Sequence, residues 1–170
     1  SNKVGVFIGD VSGKGISAAL YMAKVLSDFR HIAPQVVAPQ IALTRLNSVL
    51  SRAPRGMFLT GIYGIVDLST GNHSLSVAGH PPFLWLTHGE VRVMDVASGP
   101  PLGILPIDYP HAEISLKKGD KVLFLTDGVF DAKNKEGERI GFEKLVHFIK
   151  ECRAEGNLIQ KVVDYVNDFS

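Results

Sequence analysis

The chain is poor in the features that would place it in several large protein classes. It has one cysteine in 170 residues, Cys152, so it can form no internal disulfide. No leader with a basic, an apolar and a small-residue part opens the sequence, and together these two absences lead us to expect a reducing, cytoplasmic setting. No run reaches the roughly 18 apolar residues of a membrane span. Charge of either sign is not in excess: 18 Lys and Arg against 17 Asp and Glu give a formal net charge of +1. A broad basic field that would attract nucleic acid is therefore missing, which excludes that class of partner. Internal repeats, low-complexity tracts and charge blocks are absent as well. What remains is an ordinary globular composition, 45% apolar and 21% charged, in a length suited to one domain spanning residues 1–170.

Within that frame the hydrophobic pattern changes period along the chain. Val4 to Ile8 is a short apolar run that ends at Gly9, as a buried strand does. From Ile16, the residues Ala19, Leu20, Ala23, Leu26 and Phe29 recur at helical spacing, with Pro34 limiting the helix. Pro39 suits the first position of a second helix, whose apolar side runs from Ile41 through about Ser51. Then "TGIYGIVD", the turn "LSTGN" and "HSLSVA" predict a hairpin. Further strands are expected at Phe83–Leu86, Val91–Val93 and Ala112–Leu116, and a nearly continuous apolar "KVLFLT" predicts a strand central to a sheet. Phe142–Cys152 and Leu158–Phe169 read as helices. Paired helices around mostly antiparallel strands predict an α+β layered domain and not a doubly wound βαβ sheet.

Two acidic turns carry the chemistry. Asp10, in "IGDVSGKGIS", and Asp127, in "LTDG", each follow an apolar run and stand beside glycine or small residues. Carboxylates at strand ends with open backbone nearby suit hard divalent cations. Two of them could help hold a metal pair about 3.5–4 Å apart and acidify a water for attack on phosphorus. Each is equally the common Asp of a turn. A nucleotide phosphate loop fails, because Gly13-Lys14 is followed by Gly15 and the position five before Gly13 is Ile8. Lys14 is then a solvated turn residue or a helix-proximal charge, and Ser12, with no positioned base, is expected to cap the helix.

Five stretches, "GDVSGKGISAALYMA", "FLTGIYGIVDLSTG", "SVAGHPPFLWL", "GPPLGI" and "LFLTDGVFDAKNKEGERIGFEKL", in that order, resemble the bacterial stage II sporulation E and sigma-B-regulator type of metal-dependent (PPM) protein serine/threonine phosphatase. The resemblance implies an αββα sandwich of mostly antiparallel sheets flanked by helix pairs. It implies hydrolysis of phosphoserine or phosphothreonine on a protein by a hydroxide bridging two Mn²⁺ or Mg²⁺ ions, with a weak third ion in some members. Asp10 matches the bridging aspartate, the backbone carbonyl of Val11 a further ligand, and Asp127 a terminal ligand. Asp131 matches the acid of the third ion, or is a solvated acid near a helix start. His80 stands where eukaryotic relatives carry an acid, and either helps substrate and water or is a structural histidine of its Pro-rich turn.

The chain departs from this pattern at both ends. It starts nine residues before Asp10, without a "GGDFYD"-like strand, and ends at "NDFS" without the usual Asp-Asp segment, so Asp168 is assigned no ligand role. One outer strand at each end is expected to be missing, with either a homodimer covering the open edges or feeble activity as the result. The implied partners are a phosphorylated STAS-type anti-anti-sigma regulator and an upstream sensor or receiver domain. A non-catalytic interaction module of the same fold is the competing reading. A phospho-acceptor receiver domain is excluded, since it needs βαβ alternation and an acidic cluster after its first strand.

Overall fold

A computed structural model describes residues 2–51, 56–153 and 156–170. The chain divides into two compact units, Ser1–His80 with Val96–Leu116, and Pro81–Asp95 with Lys117–Ser170.

The first unit is built on a five-stranded sheet of β1 (Lys3–Val11), β2 (Leu59–Asp67), β3 (Asn72–Ala78), β6 (Ser98–Gly99) and β7 (Ala112–Ser115). β1 and β2 pair antiparallel over nine positions, from Lys3 opposite Asp67 to Val11 opposite Leu59. β3 lies antiparallel to β2 and pairs antiparallel with β7 along Asn72–Leu75 and in parallel with β6 at Val77 and Ala78. β1 is an edge among the described residues, and its Val4 and Val6 are 44% and 43% exposed. Two helices, α1 (Ile16–Ile32) and α2 (Pro39–Leu50), pack on this unit's core. Pro39 opens α2 as its fixed φ allows, and Pro34 falls in a short 3₁₀ turn just past α1. The core joins Tyr21 and Val25 of α1 to Leu43, Leu46 and Leu50 of α2 and to Leu59 and Tyr63 of β2. Phe7 and Phe29 stack at 4.2 Å between centroids, with Tyr63 edge-on to Phe29 at 4.8 Å.

The second unit has a three-stranded antiparallel sheet in the order β5 (Glu90–Met94), β4 (Phe83–Thr87), β8 (Lys121–Leu123). A single turn, α3 (Asp127–Phe130), follows, and then α4 (Phe142–Cys152) and α5 (Leu158–Phe169). Leu84, Leu86 and Leu123 of the sheet meet Leu145, Ile149 and Cys152 of α4 and Leu158 and Val162 of α5. Phe148 and Tyr165 stack at 4.1 Å and tie the two helices together. The side chain of Asn157 accepts from the Gln160 N–H and caps α5.

The segment "KVLFLT" corrects one expectation. β8 stops at Leu123 after three residues and is an edge strand among the described residues, paired with β4 alone. Its apolar content serves burial at Leu123 and Leu125 and a ring contact of Phe124 with Phe83 at 5.5 Å, so a continuous apolar run here marks packing without a long ladder.

Candidate functional site

Asp10 is the penultimate residue of β1, exposed, and opposite Thr60 in the ladder, whose hydroxyl reaches the Asp10 carbonyl at 3.5 Å. Nine backbone pairings fix where this carboxylate stands. Gly9 is required just before it, since a Cβ would come within 2.8 Å of the Thr60 carbonyl oxygen. After Val11 the chain turns through Gly13 at φ 92° and Gly15 at φ 80°, conformations that glycine adopts without strain, and enters α1. Ser12 does not cap that helix. Its hydroxyl accepts from the Phe58 N–H at 2.9 Å while its own N–H donates to the Phe58 carbonyl at 2.9 Å, which pins the turn to the residue ahead of β2. The helix cap position falls to Gly15, which has no side chain to offer.

Asp127 is exposed at the first position of α3, after an extended Thr126. A carboxylate there is favoured by the unpaired N–H groups of the first turn. The Asp131 N–H donates to the Asp127 carbonyl at 2.8 Å, so the two acids lie one helical turn apart on a common face. Asp131 is held by the Arg139 guanidinium, Nη1 to Oδ1 at 2.9 Å. Asp10 thus belongs to the first unit and Asp127 and Asp131 to the second. His80 follows Gly79 just past the end of β3 and is buried, at 7% exposure.

Three further residues, Asn47, Tyr109 and Arg139, shape these surroundings beyond those that the sequence singles out. Asn47 is 1% exposed in α2; it donates to the Leu105 carbonyl and accepts from the Gly103 N–H, both at 2.8 Å, clamping the "GPPLGI" segment. Tyr109 reinforces the clamp, its hydroxyl donating to the Pro100 carbonyl at 2.7 Å, and burial pushes its pKa up to about 12. A polar residue inside the apolar pattern of "LNSVL" was the available signal for Asn47. Arg139 had none, because its partner lies eight residues away.

Carboxylate and carbonyl oxygens are the right donors for a hard divalent ion, but the number falls short. Among the described residues no three His, Cys, Asp or Glu side chains gather as a metal-ion cluster.

The α+β architecture matches that of the PPM-type protein phosphatases. The chain belongs to the stage II sporulation protein E (SpoIIE) family, whose sequence pattern matches residues 1–170. Phosphoserine phosphatase RsbU of Bacillus subtilis is 28% identical over 166 residues, covering 95% of this chain and 49% of that protein. The structure of the RsbU and RsbW domains of Rv1364c from Mycobacterium tuberculosis superposes with a TM-score of 0.82 at 23% identity, over 97% of this chain and 46% of that one. RsbX in complex with magnesium shares the fold at a TM-score of 0.71 and 15% identity, over 99% of this chain and 75% of that one. The chain spans about half the length of the curated relative RsbU.

Proposed function

We propose that this chain is the phosphatase domain of a bacterial signalling protein and hydrolyses phosphoserine or phosphothreonine on a regulatory protein. Its natural substrate is a STAS-type anti-anti-sigma factor, and a sensor or receiver domain upstream governs it in the cytoplasm. The observation that carries this reading is the pairing of family membership over the whole chain with two exposed carboxylates, Asp10 and Asp127, at element ends beside open backbone. In this reading Asp10, the Val11 carbonyl and Asp127 are donors to two Mn²⁺ or Mg²⁺ ions, with Asp131 on the same helical face as Asp127 as the acid of a weak third. Bound ions of this kind lower the pKa of a water and neutralise phosphoryl charge. The chain's own part is to hold carboxylates at fixed backbone positions and to keep the turn beyond Val11 free of side chains. His80, buried as it is, serves as a structural histidine. A second copy of the chain pairing along the free edge of β1 would cover that strand.

Mn²⁺-dependent hydrolysis of p-nitrophenyl phosphate by the chain and by Asp10→Asn tests the proposal. Turnover by these residues alone is expected to be weak, because the described donors form no cluster of three. The substitution is expected to abolish what metal-dependent turnover there is; equal rates in the two proteins would remove Asp10 from the reaction. The same incomplete donor set favours a second reading, a non-catalytic module that binds the regulator. That reading predicts capture of the phosphorylated regulator without phosphate release at any metal concentration.

A further inference from the structure

The second unit holds a cationic cavity at the end of β8 opposite Asp127, and we propose that it binds a phosphoryl group. It stands independently of the catalytic reading. The cavity, about 270 Å³, is lined by Thr87, His88, Gly89, Lys121 and Arg153 among others. Thr87 and Glu90 face each other across the β4–β5 hairpin, and the two residues between them both have positive φ, His88 at 45° and Gly89 at 79°. This tight turn brings the imidazole back onto Thr87, with Nδ1 at 2.9 Å from the hydroxyl.

Asp120 stands beside this turn, accepting from the Trp85 indole at 3.1 Å and the Lys117 N–H at 2.9 Å. Its carboxylate is held below the usual range by the Lys117 N–H first, then by the Thr87 hydroxyl and the Trp85 indole.

The charged side chains that line the cavity are Glu90, Lys121 and Arg153, one acid against two cations. Glu90 is engaged by Arg92 at 2.9 Å, and the Asp120 carboxylate is occupied by its three donors. Lys121 makes no ion pair among the described residues, and the Arg153 guanidinium is bonded to the carbonyls of Gly89 and Lys150, which fixes it without neutralising it. Two cations and a histidine around a concave space suit a tetrahedral oxyanion, since guanidinium and ammonium donors give short, charge-assisted bonds to phosphoryl oxygens.

The test is a titration of the ¹⁵N-labelled chain with inorganic phosphate and, separately, with O-phosphoserine, at constant ionic strength, read by amide shifts. Saturable shifts centred on His88, Gly89 and Lys121 are expected. Saturation by phosphoserine alone assigns the pocket to a phosphorylated side chain, and saturation by both assigns it to the phosphoryl group itself. Lys121→Met with Arg153→Met should weaken binding by about tenfold or more, while Asp127→Asn leaves it unchanged. Because Arg153 also holds two carbonyls, Lys121→Glu, at an exposed position, removes the attraction and leaves those bonds in place. Shifts that fail to saturate, or an affinity unmoved by Lys121→Glu, overturn the proposal.

Discussion

Asp10 and Asp127 end similar apolar runs in sequence, yet the backbone fixes them by different means. Asp10 is held by a ladder of nine pairs on one side, and by Ser12 locking the next turn to Phe58. Asp127 follows a strand of only three residues and takes its place from the helical turn that it opens, with Asp131 and Arg139 as the outer support. The first arrangement draws on contacts about fifty residues distant in sequence; the second is local. A carboxylate fixed by a long ladder resists perturbation until its sheet fails, whereas one on a single turn responds to its immediate neighbours.

Core truncation should sharpen that difference most. Leu43 and Leu145 are both fully buried, one in each unit. Replacing either by Ala should cost about 2–5 kcal/mol, measured by urea unfolding. Amide exchange should then increase around Asp10 for Leu43→Ala and around Asp127 for Leu145→Ala. An identical exchange pattern in the two variants would break the distinction.

A smaller effect is expected from His73 in β3. Its ring lies over Gly64, where a Cβ would come within 2.2 Å of Nε2, and burial lowers its pKa below the ordinary 6.5. The unfolded chain therefore takes up this proton first as pH falls. The stability that neutral His73 contributes is complete above pH 6.5 and declines below it until the folded-state pKa is passed. His73→Gln should flatten the decline in unfolding free energy between about pH 6.5 and 5, and an unchanged slope would assign the acid sensitivity of the sheet carrying Asp10 to other groups.

The smallest is Arg139→Ala. Both partners of its ion pair are largely exposed, at 58% and 43%, so stability should fall by less than about 1 kcal/mol. Amide shifts at Asp131 and Asp127 should still change, because the outer support of the turn is removed. Silence at both amides would show that α3 needs no such support.

Much of the architecture was legible from periodicity. Pro39 marks the first position of α2, which ends at Leu50, one residue before the expected Ser51, and the one-sided apolar patterns of α4 and α5 match their bounds, because these signals are local. β8 was over-read, since burial around Leu125 and strand pairing leave the same apolar mark. Ser12 was read as a helix cap because serine commonly is one; its partner Phe58 lies 46 residues away, beyond any local pattern. The candidate acids were visible as strand-end carboxylates, and their assignment came from the family resemblance. The Asn47 clamp and the Arg139 ion pair depend on tertiary contacts that spacing does not encode.

Under the proposed function, Asp10 and Asp127 are both donors to divalent ions. Mn²⁺ affinity, measured by calorimetry for the chain, Asp10→Asn, Asp127→Asn and the double variant, tests it most directly. The account predicts that each single substitution removes most of the Mn²⁺ binding and that the double variant loses little more. Losses that simply add, or Mn²⁺ binding that neither substitution disturbs, would contradict it.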